Sequence, residues 1–286
     1  MIDFDFHIHC APYSTCATQT AEQAVRQACN AGVKVIAICN HNTVDGLSEF
    51  KNVCEIRNML LINGVELSVA LKGISDDLDG KVIHLLGYDF DLRKDSFAEF
   101  FKNIRGKYLR RILKICNYLR SKGYEVEDCE SMTSLRLQLK NGGYFVSEKE
   151  AKEFLHGNEI TTGFPEEKLD PKSAIDFIHQ VGGSVFVAHP NRAEGHARLT
   201  KEQMTKIIDA LCEMGIDGLE VFHPDTVKEE GTVELLLSIA DKKRLKVTLG
   251  SDTHHLLNGQ YFILNEQLKS YGFDFEKIKK YMGVKL

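Results

Sequence analysis

At 286 residues, with 43% hydrophobic and 27% charged residues, the chain is long enough to bury a substantial core and has the balance of a soluble globular protein. A net charge of −5 argues against a surface coated with positive charge for long nucleic acids. No apolar run approaches the roughly 20 residues of a membrane helix, and the N-terminus lacks a basic stretch leading into an apolar signal core, so the expected location is the cytoplasm, with no membrane partner.

The first element is "IDFDFHI". In a strand, residues two apart share a face. Asp5, His7 and His9 therefore fall on one side, and Phe4, Phe6 and Ile8 on the other. A helical pattern near 19–31 follows, with Thr20 three residues before Gln23 as a capping box and Gly32 beyond its end. "VKVIAIC" reads as a strand, 45–57 as a helix, and "LLINGVELSV" and "KVIHLLGY" as two further strands.

From about residue 95 to 170 helical patterns dominate, starting with "FKNIRGKYLRRILKICNYLRSKG" and ending in "EEKLDP". This stretch is expected to be a helical insertion in a domain made of 1–94 and 171–286. After it the alternation resumes: a helix at 171–182 with Asp170 and Pro171 at its start, the strand "GSVFVAH", a helix at 200–214 closed by Gly215, the strand "DGLEVFH", a helix at 228–243 and the strand "LKVTLGS". Strand-then-helix order with short joins implies a parallel sheet, either closed as a barrel or open and doubly wound. The eight cysteines show no CxxC spacing, and several lie in apolar runs, which reads as reduced core residues and not as disulfides or a zinc-cysteine site.

Most of these strands carry a metal-competent side chain within them or at their C-terminal end. His7 and His9 end the first, His41 follows the second, Glu66 and His84 lie in the third and fourth, His189 and His223 follow the fifth and sixth, and Asp252 with His254 follows the last. In barrels of parallel strands that end hosts the active site. Imidazoles and carboxylates without cysteine suit Zn²⁺, Mn²⁺ or Fe²⁺ at a hydrolytic centre, and so many candidates imply two or three ions.

The motifs "DFHIH" (5–9), "CNHNTVDG" (39–46), "GVELS" (64–68), "HLLGYD" (84–89), "AHPNR" (188–192), "GLEVFHP" (218–224) and "GSDTH" (250–254) resemble the polymerase and histidinol phosphatase (PHP) domain family of the amidohydrolase superfamily. The resemblance implies an α/β fold, a distorted (β/α)7 TIM-like barrel with a helical insertion resembling the lid of nucleotide-acting members. It also implies two or three divalent ions held by His7, His9, His41, Glu66 as a bridging carboxylate, His84, His189, Asp252 and His254. The chain departs from the family's pattern at two places. Cys39-Asn40-His41 stands where Thr-Asp-His is common, and "HCAPYSTCATQT" contains no acid where an aspartate ligand is common, which leaves a weakened metal position or a cysteine or water there. The family's Gly-Arg-Pro-His-like stretch is also absent from "NGGYFVSEKEAKEFL", where Tyr144 and Phe145 are more readily packing residues than a base platform.

The implied chemistry is hydroxide attack, activated by metal, on a small phosphomonoester, with a nucleotide or an oligonucleotide end favoured. Phosphate is expected to be gripped by Arg192; His223 would contact phosphate or protonate the leaving oxygen and reads equally as a further metal ligand or a structural residue, and Arg105, Arg110 and Arg111 are further phosphate candidates on a helix that reads equally as a solvated basic face. A histidinol-phosphate or sugar phosphatase, and a metal-binding module without catalysis, are the competing functions. The expected partner is a small phosphorylated substrate, not a long nucleic acid; oligomeric state is left open.

Overall fold

The structure, a computed structural model, describes residues 4–256. The predicted barrel segment 257–286 lies outside the described residues. The chain divides into two compact units, Met1–Lys94 with Leu169–Leu286, and Asp95–Lys168.

In the first unit, strands β1 (Phe4–Ile8), β2 (Val35–Ile38), β3 (Leu60–Ala70), β4 (Val82–Tyr88), β5 (Ser184–Val187), β8 (Gly218–Phe222) and β9 (Lys246–Leu249) form one sheet in that order. A parallel bridge between Ile8 and Thr253, with the His9 N–H donating to the Thr253 carbonyl at 2.9 Å, brings the two edges together, so the sheet is a nearly closed barrel. All of β1 is buried, which removes solvent as the destination of its polar face. Between β5 and β8 a two-residue hairpin, β6 (Arg192–Ala193) and β7 (Ala197–Arg198), carries Arg192.

The expectation of a fully parallel sheet fails at β4, which runs antiparallel to both β3 and β5. Residues 71–81 contain no helix, and a connection that short cannot make the crossover a parallel pair needs. The reversal has a consequence for the site. Ser68, two residues past Glu66, pairs with His84 near the start of β4, so His84 reaches the end of the barrel where its parallel neighbours finish.

Among the described residues, helices α1 (Ala21–Asn30), α2 (Leu47–Ile56), α7 (Pro171–Gln180), α8 (Lys201–Met214), α9 (Pro224–Lys228) and α10 (Thr232–Lys243) belong to this unit. The capping box of α1 forms, with the Gln23 N–H donating to Thr20 Oγ1 and the Thr20 N–H donating to Gln23 Oε1. Its buried face, Ala21, Ala24, Val25 and Ala28, follows helical spacing. Asp170 caps α7 by accepting the Ser173 N–H at 2.9 Å, with Pro171 in the first turn. The helix expected at 228–243 starts at Thr232, because Gly231 adopts φ +70 and breaks it from the short α9.

In the second unit α3 (Asp95–Ser121), α4 (Met132–Asn141), α5 (Glu148–Leu155) and α6 (Asn158–Gly163) share a core of their own. Ile112, Ile115, Cys116 and Leu119 of α3 meet Leu135 and Leu139 of α4 and Ala151 and Leu155 of α5 there. Tyr144 and Phe145 pack against this core, and the Tyr144 hydroxyl accepts the Glu125 N–H at 2.7 Å. No helix among the described residues is long and apolar enough to cross a membrane.

Candidate metal centre

At the barrel end where β1 and β2 finish, Glu66 is surrounded by imidazoles. Its Oε2 lies 3.3 Å from His7 Nε2, 3.2 Å from His9 Nε2 and 3.1 Å from His41 Nδ1. Its Oε1 lies 2.8 Å from His84 Nδ1 and 3.1 Å from His189 Nε2. Asp252 sits opposite, its Oδ1 at 3.4 Å from His7 Nε2, 3.2 Å from His9 Nε2 and 3.6 Å from His254 Nδ1. The sequence-predicted ligands, spread from His7 to His254 along the chain, thus lie close together.

Burial makes this arrangement costly for side chains left to themselves. His7, His9 and Glu66 have no exposed surface, and His7 Nε2, His9 Nε2, both His84 nitrogens and Glu66 Oε2 make no hydrogen bond despite their close approach. Buried polar atoms without partners cost several kcal/mol in an apolar setting. Lone pairs that converge at these distances without a shared proton are the donor set a cation needs. Three groupings place their ligand atoms within 4.8 Å of one another: His7, His9, Glu66 and Asp252; His41, Glu66 and His84; and His9, Cys16, His41 and His254. The donor types, imidazole and carboxylate, fit divalent Zn, Mn or Fe.

The electrostatics are strongly polarised. Burial would raise the Glu66 and Asp252 carboxyls, but the imidazoles around them hold both well below the usual carboxylate range. Burial acts against charge on His7, yet Glu220, Asp252 and Glu66 hold it well above 6.5. Burial dominates at His189 and His254, pushed down to about 4, and it also lowers His41. His189 and Asp252 adopt φ of +27 and +51, a left-handed backbone that costs a side-chain-bearing residue about 1–3 kcal/mol and tends to be kept at functional positions.

Around the cluster the structure supplies supports that the strand pattern did not single out. Glu220 in β8, fully buried, lies with Oε1 2.9 Å from His7 Nδ1 and accepts the His189 N–H on Oε2 at 2.8 Å. An acid inside the apolar run "GLEVF" was the available signal. Asp5 Oδ1 accepts the N–H groups of His7 and Ser251, tying β1 to the loop after β9. Asn40, at the family's aspartate position, accepts the Cys10 N–H at 3.0 Å and so anchors the chain just past His9.

Arg192 reaches this end of the barrel. Its Nη1 donates to Asp225 Oδ2 at 2.6 Å, and its Nη2 donates to Asp252 Oδ2. His223 Nε2 lies 3.2 Å from the same Asp252 oxygen, while its Nδ1 accepts the Asp225 N–H at 3.0 Å. An Nδ1 that accepts a backbone proton cannot carry one, which leaves the His223 proton on Nε2. On α3, Arg105 pairs with Glu130 at 2.9 Å, Arg111 donates to the Phe164 carbonyl at 2.7 Å, and Arg110 is exposed.

A cysteine, one of the replacements left open for the missing acid in "HCAPYSTCATQT", stands near the cluster. All eight cysteines are free, but Cys16 is exposed and belongs to a metal-competent grouping, whereas Cys10 and Cys54 are buried, with burial pushing their thiols up to about 12.

Comparison with known proteins points one way. A family model described as the PHP domain matches residues 5–282. A 5′-3′ exoribonuclease of Haemophilus influenzae is 25% identical over 258 residues, covering 87% of this chain and 89% of that protein. A phosphoribosyl 1,2-cyclic phosphate 1,2-diphosphodiesterase of Eggerthella lenta is 24% identical over 263 residues, covering 87% of this chain and 93% of that protein. A solved structure from Bifidobacterium adolescentis, assigned as a metal-dependent phosphoesterase, shares the fold with a TM-score of 0.66 at 24% identity, over 96% of this chain and 98% of that one.

Proposed function

The chain belongs to the PHP domain family and is a metal-dependent hydrolase of phosphoesters, and from that premise we propose that its substrate is a nucleotide or the phosphorylated end of an oligonucleotide. Phosphoester chemistry is supported by the meeting of His7, His9, His41 and His84 on Glu66, beside an arginine engaged with Asp252, and the substrate class by the relatives' names.

In this reading His7, His9, Glu66 and Asp252 would hold one divalent ion, and His41, Glu66 and His84 are the residues that would hold a second, Glu66 being common to both groupings. His189 steadies Glu66 through Oε1. Divalent ions at such a centre supply charge neutralisation at the phosphoryl oxygens and activation of water for attack. Arg192 offers a forked donor to phosphate oxygens, held at the right end of the barrel by Asp225. His223 presents its Nε2 proton to a phosphoryl oxygen and serves as a hydrogen-bond donor; acting as a general acid would require a proton on Nδ1, where the Asp225 N–H stands. Arg105 and Arg111 have partners within their own helical unit, Glu130 and the Phe164 carbonyl, and with the exposed Arg110 they stand as further candidates for phosphate.

Substrate choice draws on the relatives. One is named as an exoribonuclease and the other as a phosphodiesterase of a phosphoribosyl cyclic phosphate, which favours ribose-linked phosphate and brings diesters and RNA ends into range. The test is a phosphate-release and product screen of Mn-, Zn- and Fe-loaded protein. The panel comprises nucleoside 3′- and 5′-phosphates, bisphosphates, ribose cyclic phosphates, 5′-phosphorylated oligoribonucleotides and histidinol phosphate. Turnover of ribonucleotide substrates that disappears in folded His7→Ala and Asp252→Ala supports the reading. Turnover confined to histidinol phosphate, or folded protein that no metal makes active on any member of the panel, overturns it.

A further inference from the structure

Residues 10–19 close over the metal centre as a turn with fixed attachments on both sides. The Ser14 N–H donates to the Cys10 carbonyl at 2.8 Å, the Thr18 N–H to the His254 carbonyl at 2.8 Å, and Gln19 Nε2 to the carbonyls of His9 and Thr253. These bonds carry Cys16 to the side of the cluster where His254 stands. Its Sγ and one nitrogen each of His9, His41 and His254 all lie within 4.8 Å of one another.

A second observation points to a ligand at this place. His9 is fully buried, and its Nε2 has no hydrogen-bond partner. Ser14 Oγ lies at 3.2 Å from His9 Nδ1 and 3.6 Å from Cys16 Sγ, and it accepts the His41 N–H at 3.3 Å. A hydroxyl so placed can accept the proton of His9 Nδ1, which directs the Nε2 lone pair inward, and can turn its own proton toward the sulfur. That is the supporting hydrogen bonding that metal-bound imidazoles and thiolates receive.

We propose that Cys16, as its thiolate, ligates a divalent ion together with His254 and His41, whose one lone pair would then serve this ion and not the Glu66–His84 pair, while His9, its Nδ1 bonded to Ser14, keeps Nε2 on the side of Glu66 and Asp252. The inference rests on the reading of this cluster as a metal centre and adds a position of different chemistry to it. Cys16 and His254 occur in this grouping alone, whereas His9 and His41 are shared with the carboxylate groupings. The sulfur therefore defines the position. One thiolate with imidazoles and no carboxylate is a softer donor set than the other two, so it selects Zn²⁺ over Mn²⁺. Binding releases the thiol proton to solvent as the metal–sulfur bond forms. The centre then holds unlike ions, zinc at the thiolate and manganese or iron at the carboxylates.

Titration of metal-free protein with Co²⁺ tests this without reference to turnover. The expected result is a thiolate-to-cobalt charge-transfer band in the near ultraviolet that is absent from Cys16→Ser, together with visible cobalt bands retained in the variant. Zinc content should fall by one equivalent in Cys16→Ser, and Zn²⁺ should protect Cys16 of the unaltered protein from alkylation, which needs no variant to fold. Cobalt bound with visible bands but no charge-transfer band, or alkylation of Cys16 unaffected by Zn²⁺, overturns the thiolate ligand while leaving the metal centre standing. Failure of cobalt to bind at all overturns both.

Discussion

Oε1 of Glu220 lies 2.9 Å from Nδ1 of His7, across 213 residues of chain, and both side chains are fully buried. The carboxylate accepts a hydrogen bond from Nδ1–H, and Nε2 faces Glu66 and Asp252. Carboxylates behind metal-bound histidines fix the tautomer and raise the basicity of the ring.

Glu220→Gln keeps the shape and removes the charge. The expected outcome is a folded protein with roughly 10–100-fold weaker metal affinity or activity, read by metal titration and by phosphate release at saturating metal. Unchanged affinity would detach Glu220 from the centre.

Gly250 leaves the space in which this pair forms. A Cβ there would stand 2.2 Å from His7 Cβ and 2.4 Å from Glu220 Oε1. Neither neighbour can withdraw, since both are packed in the barrel. Gly250→Ala is expected to lose about 1–3 kcal/mol in urea unfolding, the usual cost of overpacking, with metal affinity falling alongside. A variant as stable as the parent would mean that the loop after β9 yields more freely than its bond to Asp5 implies.

Stripping the metal exposes a pH dependence with two limbs. Burial lowers His41, His189 and His254, so their contribution is complete above the unfolded value of 6.5 and is lost as pH falls through the folded values, about 4 for His189 and His254. For His7 and His9 burial is outweighed by the carboxylates and the shift is upward; their contribution is complete below 6.5 and is lost as pH rises through the folded values. Glu66 and Asp252, held low by the imidazoles despite burial, add a further loss on the acid side. Urea midpoints measured in chelator should therefore peak near pH 6.5, and a profile rising steadily in either direction would contradict the charge arrangement.

Arg192→Lys keeps the positive charge and removes the fork that engages Asp225 and Asp252. Loss of a charge-assisted hydrogen bond of about 1.5–3 kcal/mol corresponds to roughly a 10–100-fold fall in kcat/KM. Asp225→Asn, which only loosens the guanidinium, should cost less and act mainly on KM. Equal losses in the two variants would mean that Arg192 acts on the centre through Asp252 and not on phosphate.

Local rules carried much of the reading. Alternation in "DFHIH" places Asp5, His7 and His9 on one face, and the caps at Thr20 and Asp170 form as their spacing predicts. Such signals depend on neighbours a few residues apart. The reversal of β4 followed from the short stretch 71–81, a signal present but outvoted by the strand-helix rhythm around it. Glu220 was hidden for another reason, as an acid inside an apolar strand, whereas Cys16 lay in a stretch already open to a cysteine and lacked only its geometry.

Taken alone, the order of residues determined which strands form, which faces are apolar, and that imidazoles and carboxylates recur at strand ends, because each of these is a short-range periodicity. Only the tertiary structure decided that Glu220 backs His7, that Asn40 anchors Cys10 and that Cys16 stands beside His254. Those pairings depend on how a barrel closes, and closure is a property of distances between residues far apart in the chain, on which periodicity is silent.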